Sequence, residues 1–145
     1  MENLALRDLG VLVGTWHVDL ANASFLPAGA TMTGTATIEW LDGGALLVMR
    51  SALDEGGGPP DSVWVVGRNE SRDDYEVLAA DARGVSRVYS MTFANGRWTK
   101  HREDPGFHQH FEAAVDRDRI TGAWSRSHDD GATWLHDFDL VYTRL

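Results

Sequence analysis

Apolar and polar residues alternate with a period of two along most of this chain, the pattern of half-buried β-strands. The last segment, W-L-H-D-F-D-L-V-Y-T-R-L, shows it most clearly. Every second residue from Trp134 to Arg144 falls on one face, while Asp137, Asp139 and Thr143 fall on the other. The alternation predicts ten strands, at residues 11–20, 31–41, 45–53, 62–68, 75–82, 85–94, 97–103, 107–116, 119–128 and 134–145.

Short polar segments separate the predicted strands and favour tight turns. Asn95-Gly96 is the strongest hairpin signal, since both residues tolerate the positive φ of a type I′ turn, and Asp42-Gly43-Gly44 predicts another hairpin. Residues 2–10 suit a short helical turn or an irregular lead-in that plugs one end of the fold. The facing of segment 45–53, and of Arg50 within it, is ambiguous because the segment is apolar almost throughout.

An even number of strands places the last strand antiparallel to the first, so the meander can close into a barrel without free edges. This pairing brings Arg144 near Gly14 and Trp16. We therefore predict one all-β domain over residues 1–145, an up-and-down antiparallel barrel of about ten strands. Loops 21–31, 54–61, 83–84, 103–106 and 128–132 lie at one end, the expected open mouth, and loops 42–44, 69–74, 95–96 and 116–118 lie at the other.

Composition narrows the classes of function. The 145 residues, 43% of them hydrophobic, suffice for one core, and a net charge of -9 argues against a nucleic acid or an anionic membrane as partner. The absence of cysteine excludes disulfides and thiolate metal sites and fits a cytoplasmic location. Neither a signal peptide nor a membrane-spanning run is expected. A homodimer is left open.

Three features of the chain carry a resemblance to a known group. Gly14-Thr15-Trp16, the meander of about ten strands and an arginine near the end of the final strand resemble the calycin group of lipocalins and fatty-acid-binding proteins. The segments R-E-D-P-G-F-H-Q-H-F, I-T-G-A-W and W-L-H-D-F-D-L-V-Y-T-R are similar to an uncharacterised bacterial lipocalin-like family. The resemblance implies that Trp16 packs under Arg144 as the structural closure of the barrel base.

A more distant similarity is to nitrobindin, a ten-stranded haem-binding calycin whose iron ligand is a late histidine. That similarity implies haem as a cofactor, with His136 as its ligand. The segment Gly14-Thr15-Trp16-His17-Val18-Asp19 lacks the glycines that continue the first-strand motif of that family, which disfavours haem.

A ligand cavity would need apolar walls and a few polar groups. The alternation turns Gln109 toward an apolar interior, where it meets either a ligand or another inward polar group. Arg87 and Arg126, placed toward the mouth with His128 and Asp81, could receive an acidic ligand group, although an internal ion pair of Arg87 with Asp81 is the alternative. Trp40, Trp64, Trp98 and Trp124 either line a cavity or fill the barrel. The candidate ligand-binding residues are Gln109, Arg126, Arg87, Tyr89, Trp64, Trp124, Phe111, Phe138 and Trp134.

His136 is the candidate catalytic residue, because it shares a face with Phe138, Leu140 and Tyr142 and is expected to point inward. It could act as an acid or base in proton transfer or isomerisation, anchor a ligand or bind haem; the alternative is a half-solvated histidine at the rim.

No metal site is predicted, since His108 and His110 have ligand spacing but face outward without an evident third ligand. Nucleophile-elbow and nucleotide-binding motifs are absent. We therefore expect the barrel interior to bind a small, largely apolar or aromatic molecule, with acid–base catalysis and haem binding as the alternatives.

Overall fold

In a computed structural model, which describes residues 4–41 and 44–145, the chain forms a closed antiparallel barrel. Each strand pairs with its neighbours in the sequence, and the last strand pairs with the first. The all-β meander and its closure, both predicted from the alternation, are confirmed. The strands are β1 Gly14–Ala21, β2 Met32–Trp40, β3 Leu47–Leu53, β4 Ser62–Asn69, β5 Asp74–Asp81, β6 Ser86–Ala94, β7 Arg97–Asp104, β8 Phe107–Asp116, β9 Arg119–Ser127 and β10 Leu135–Arg144.

The segment before β1 is a 3-10 helix, Leu4–Leu12. Leu6, Leu9 and Leu12 recur every three residues, the period of a 3-10 helix, and all three are buried. The helix packs against β4 and β6, so its leucines plug the base of the barrel. The prediction that the first strand begins at residue 11 is wrong, because Leu12 enters the core from this helix.

Trp16 and Arg144 close the base where β1 meets β10. They are direct cross-strand partners, and the Arg144 guanidinium lies 4.2 Å from the centre of the Trp16 ring. The buried Trp16 Nε1 donates a hydrogen bond to the carbonyl oxygen of Leu12 at 2.9 Å. The proximity predicted for this pair is confirmed. Arg144 also donates hydrogen bonds to the carbonyl oxygens of Val11, Val13 and Arg117.

Gly14 makes this closure sterically feasible. Its φ is +149°, a conformation that favours glycine. A Cβ atom at this position would collide with Nη1 of Arg144. The glycine, the tryptophan and the arginine therefore form one packing unit.

Other local predictions can be compared with the structure. Asn95 and Gly96 have φ values of 52° and 74°, so both adopt the positive φ that the hairpin requires. Arg50 faces outward, where Nη1 lies 2.7 Å from Oε1 of Glu39. Of the predicted turn at Asp42-Gly43-Gly44, residues 42 and 43 lie outside the described residues. No helix in the described ranges has the length and apolar character needed to cross a membrane.

Candidate functional site

The mouth half of the barrel contains a cavity of about 450 Å³. It lies at the end predicted to be open, since its rim includes residues from loops 21–31, 54–61 and 83–84. The base half is instead filled by tightly buried side chains such as Leu9, Trp16 and Ile120. The barrel is therefore hollow toward the mouth and solid toward the base. The apolar and aromatic walls of the cavity come from Val18, Leu20, Met49, Trp64, Tyr89, Trp124, Phe138 and Leu140.

Lys100 on β7 is the most unusual residue of this cavity. It lines the cavity and is 3% exposed. Its Nζ is surrounded by four aromatic rings, at 4.2 Å from the centre of Trp64, 4.5 Å from Phe111, 4.6 Å from Trp98 and 5.3 Å from Trp124. Within residues 4–41 and 44–145, no acceptor hydrogen-bonds to this nitrogen and no carboxylate pairs with it.

Burial lowers the pKa of Lys100 from 10.5 to about 7, because the ammonium form loses its hydration and gains no counterion. The facing rings attract a cation through their quadrupoles and offset part of that loss. At neutral pH a fraction of the side chain is therefore present as the free amine. A free amine inside an apolar cavity is both a base and a nucleophile.

Lys100 was absent from the sequence-based candidates, although two signals mark it. It is the one lysine in the chain, whose other twelve basic residues are arginines. It also follows Trp98 by two positions on a predicted strand, so the alternation places both on one face. Combining these signals would have placed a lone amine on the same side as a core tryptophan.

Gln109, Tyr89 and Arg87 form a polar group on the cavity wall. Oε1 of Gln109 accepts a hydrogen bond from the Tyr89 hydroxyl at 2.8 Å and a longer one from Nη1 of Arg87 at 3.4 Å. The inward facing predicted for Gln109 is confirmed, and its partners are protein side chains. Burial raises the pKa of Tyr89, so its hydroxyl stays protonated at neutral pH. Arg87 also lies over the Phe107 ring, at 5.4 Å from its centre.

Asp81 at the rim is paired with Arg83 rather than with Arg87. The Arg83 guanidinium reaches Oδ2 of Asp81 at 2.8 Å. This side-chain hydrogen bond is the main reason that the pKa of Asp81 falls to about 2. The ion pair of Arg87 with Asp81 that the sequence left open is therefore not formed, because Arg83 pairs with Asp81 instead. The Arg87 guanidinium lies beside Gln109.

Asp137, Arg126 and Ser24 form a second polar group at the mouth. Nη1 of Arg126 lies 2.8 Å from Oδ1 of Asp137 and 2.5 Å from Oγ of Ser24, and the same carboxylate oxygen accepts from Ser24 at 2.7 Å. Arg126 thus lies at the mouth as expected, but it is held by the protein and does not line the cavity. Asp137, predicted to face outward, lines the cavity instead.

A β-bulge in β10 accounts for the change at Asp137. The pairing register with β9 shifts between His136 and Phe138, so Asp137 is an extra residue on the bulged strand. Beyond the bulge, Phe138, Leu140 and Tyr142 point inward as predicted. Before the bulge, the residues predicted to face inward face outward, and Asp137 in the bulge, predicted to face outward, faces inward.

His136 and Trp134 lie on the side of the bulge where the assignment is reversed. The His136 side chain is 48% exposed and lies 3.3 Å from Oδ1 of Asp139 on the outer surface. Neither residue lines the cavity. The prediction that both point inward is wrong, and the catalytic and haem-ligand roles of His136 lose the geometry on which they depended.

Trp134 packs outside the barrel among three histidines. The rings of His101, His108 and His110 lie 6.3, 6.3 and 6.4 Å from it. The outward facing predicted for His108 and His110 is confirmed. The part of the chain that the structure describes contains no group of three or more acidic or imidazole side chains able to hold a metal ion.

Other predicted site residues divide between cavity and core. Trp64, Trp124, Tyr89, Phe138, Gln109 and Arg87 line the cavity. Phe111 and Trp98 are buried in the core and do not line the cavity, but their rings contact Lys100, which does. Trp40 packs on the core and does not line the cavity either. His128 stacks on Phe107 at 5.2 Å beside the mouth. The tryptophans therefore both line the cavity and fill the barrel.

Comparison with known proteins adds support for the fold. No family model matches the sequence, and no curated protein matches it. Among solved structures, the barrel is similar to the crystal structure of Rv2717c from M. tuberculosis, with a TM-score of 0.67. The alignment covers 100% of this chain and 99% of that chain at 12% sequence identity. At this identity the similarity shows a shared barrel fold.

Proposed function

We propose that this protein binds a small, largely apolar or aromatic molecule in the mouth half of its barrel. The observation that carries the proposal is the cavity of about 450 Å³, which opens at the mouth and is walled by Trp64, Tyr89, Trp124 and Phe138. Ligand sites in proteins are concave, mostly apolar and supplied with a few polar groups that orient the ligand. A volume of this order accommodates a ligand of one or two rings.

The polar side chains of the cavity favour a ligand that has few polar groups of its own. The side-chain oxygen of Gln109 is already engaged by Tyr89 and Arg87, and Asp137 is engaged by Arg126. Displacing such bonds would leave buried groups unpaired. In contrast, Tyr142 lines the cavity, and its hydroxyl makes no hydrogen bond with the described residues, so it is a candidate donor to a ligand.

A fluorescent apolar dye tests the proposal. We expect the neutral dye N-phenylnaphthylamine to gain fluorescence on binding and to appear as a one-to-one complex in native mass spectrometry. Leu53→Trp adds bulk to the cavity rim and should weaken dye binding by about tenfold or more. Leu78→Trp makes the same change on the outer surface, where Leu78 is 52% exposed, and should bind like the wild type.

Two outcomes would overturn the binding function. One is the absence of saturable dye binding to the wild-type protein. The other is equal binding by the wild type, Leu53→Trp and Leu78→Trp, since the dye would then occupy a surface other than the barrel interior.

Membership of the calycin group belongs to the same proposal. It is supported by the packing of Trp16 beneath Arg144 and by the Gly14 that this packing requires. The relation to nitrobindin has less support, because His136 lies on the outer surface. The cytoplasmic location and the homodimer stay predictions from the sequence.

A further inference from the structure

The stability of the barrel does not explain why a lysine is buried at position 100. A buried cation normally pairs with a carboxylate or coordinates several acceptors, and this lysine does neither within the described residues. The side chain lines an open cavity, so it borders the space that a ligand entering through the mouth would occupy. A desolvated lysine in an apolar pocket is an activated nucleophile.

We propose that Lys100 forms an imine with an aromatic or conjugated aldehyde held in the barrel cavity. This inference rests on the proposed binding function and names the ligand class. The free amine attacks the carbonyl carbon, a C–N bond forms as the carbonyl π bond opens, and a proton moves from nitrogen to the former carbonyl oxygen to give a carbinolamine. The carbinolamine then loses its hydroxyl group together with a proton from nitrogen as water, leaving a C=N bond. Protonation of that nitrogen by solvent gives the iminium ion.

The aromatic cage favours an aldehyde over a carboxylic acid as the ligand. The rings of Trp64, Phe111 and Trp98 lie within 4.6 Å of Nζ, and the faces of such rings carry partial negative charge. A carboxylate drawn to the ammonium would approach the same faces and would be repelled by them. An iminium ion keeps the positive charge of the ammonium, so the rings stabilise the product as they stabilise the unliganded lysine.

The walls of the cavity select the remainder of the aldehyde. Trp64, Tyr89 and Trp124 contact one another, with ring centres 4.9 to 6.0 Å apart, and form an aromatic wall beside the amine. A flat conjugated ligand can stack on such a wall. Conjugation also stabilises the imine by delocalising its charge.

Reductive trapping tests the proposal with cinnamaldehyde as the probe. The wild-type protein is incubated with the aldehyde and sodium cyanoborohydride near pH 7, where part of the Lys100 population is the free amine. We expect a reduced adduct inside the barrel, which peptide mapping assigns to Lys100, in addition to labelling of the α-amino group. The assignment is simple because the chain has no second lysine, and the α-amino group lies on a different peptide. A saturating amount of N-phenylnaphthylamine should slow the labelling about tenfold or more.

Lys100→Arg and Lys100→Met are the matched variants. Arginine keeps a positive charge and methionine keeps the apolar stem, but neither has an amine that can condense with an aldehyde. Both variants should lose the internal adduct. Labelling of the α-amino group should be equal in all three proteins, which controls for reagent quality.

The outcomes separate this inference from the binding function. If the wild type binds the dye but carries no adduct on Lys100, the imine is overturned and the binding function stands. The imine is also overturned, and the binding function stands, if cinnamic acid binds more tightly than cinnamaldehyde and its binding is accompanied by uptake of a proton by the protein. Lys100 would then act as an ion-pair partner of the carboxylate. If neither the dye nor either cinnamyl compound binds, both proposals are overturned.

Discussion

Nζ of Lys100, on β7, lies 4.2 Å from the centre of the Trp64 ring, on β4, and both side chains line the cavity. The two residues are thirty-six positions apart in the sequence. This contact holds a cation against an aromatic face where no carboxylate is present among the described residues. It makes the stability of the barrel depend on the protonation of a single side chain.

We expect the free energy of unfolding to rise with pH between about 7 and 9.5. The pKa of Lys100 is about 7 in the folded protein and about 10.5 when unfolded, so the unfolded chain binds more protons in this window. The gain between pH 7 and 9 should be about 2 kcal/mol. The gain should vanish below about pH 6, where Lys100 is protonated in both states. Urea unfolding at several pH values measures it.

Lys100→Met is the control for this pH dependence. Methionine removes the titration, so the variant should be more stable than the wild type at pH 7, and the difference should shrink as the pH rises. The window ends near 9.5 because burial raises the pKa values of Tyr75, Tyr89 and Tyr142, which act in the opposite direction at higher pH. Parallel stability curves for the two proteins would contradict the assignment of the effect to Lys100.

Arg144→Lys should lower the free energy of unfolding by about 2–3 kcal/mol. The guanidinium reaches three backbone carbonyls at once and covers Trp16, whereas a single ammonium cannot satisfy the same acceptors. Arg50→Lys, on an exposed ion pair with Glu39, is the matched control and should change stability by less than about 0.5 kcal/mol. Equal effects at the two positions would mean that the base closure adds nothing beyond surface charge.

Gly14→Ala should destabilise the protein by about 2–4 kcal/mol. The substitution combines an unfavourable φ of +149° with a collision against Arg144. Gly29→Ala separates the two causes, since Gly29 has a φ of +80° but no atoms within 4 Å of a new Cβ. That control should cost about 1 kcal/mol. Thermal unfolding compares them, and similar losses would leave the collision without a role.

The Arg126–Asp137 pair should show a coupling free energy of about 1–2 kcal/mol in a double-mutant cycle with alanine. Both side chains are partly buried, at 22% and 16% exposure, and share Ser24. The exposed pair of Arg97 with Glu112 is the control and should show a smaller coupling, because solvent screens it. A coupling for Arg126–Asp137 no larger than the control would show that the mouth network is not a stabilising unit.

The features of the fold that follow from local alternation could be predicted from the sequence. Residues that alternate between core and solvent must form strands in one register, and an even number of them lets β10 meet β1. This reasoning placed Trp16 beside Arg144 across nearly the whole length of the chain. It also placed Gln109, Tyr89 and Trp124 on the inner face of the mouth half.

The same reasoning erred wherever the period changed. Leu6, Leu9 and Leu12 follow a period of three, so a leucine assigned to the first strand belongs to the 3-10 helix. Lys100 was overlooked for a different reason, since a charged side chain is ordinarily expected to face water. The sequence marks its position on the strand but not the four rings that surround it.

The sequence by itself determined the barrel, its closure at Trp16 and Arg144, and the end at which it opens, because these depend on periodicities that each segment carries locally. Tertiary structure decided that Asp137 rather than His136 enters the mouth. One extra residue reverses the facing of everything before it on the strand. Whether that residue bulges depends on contacts outside its own strand. Asp137 accepts hydrogen bonds from Arg126 on β9 and from Ser24 after β1, and the second of these forms only when β10 pairs with β1.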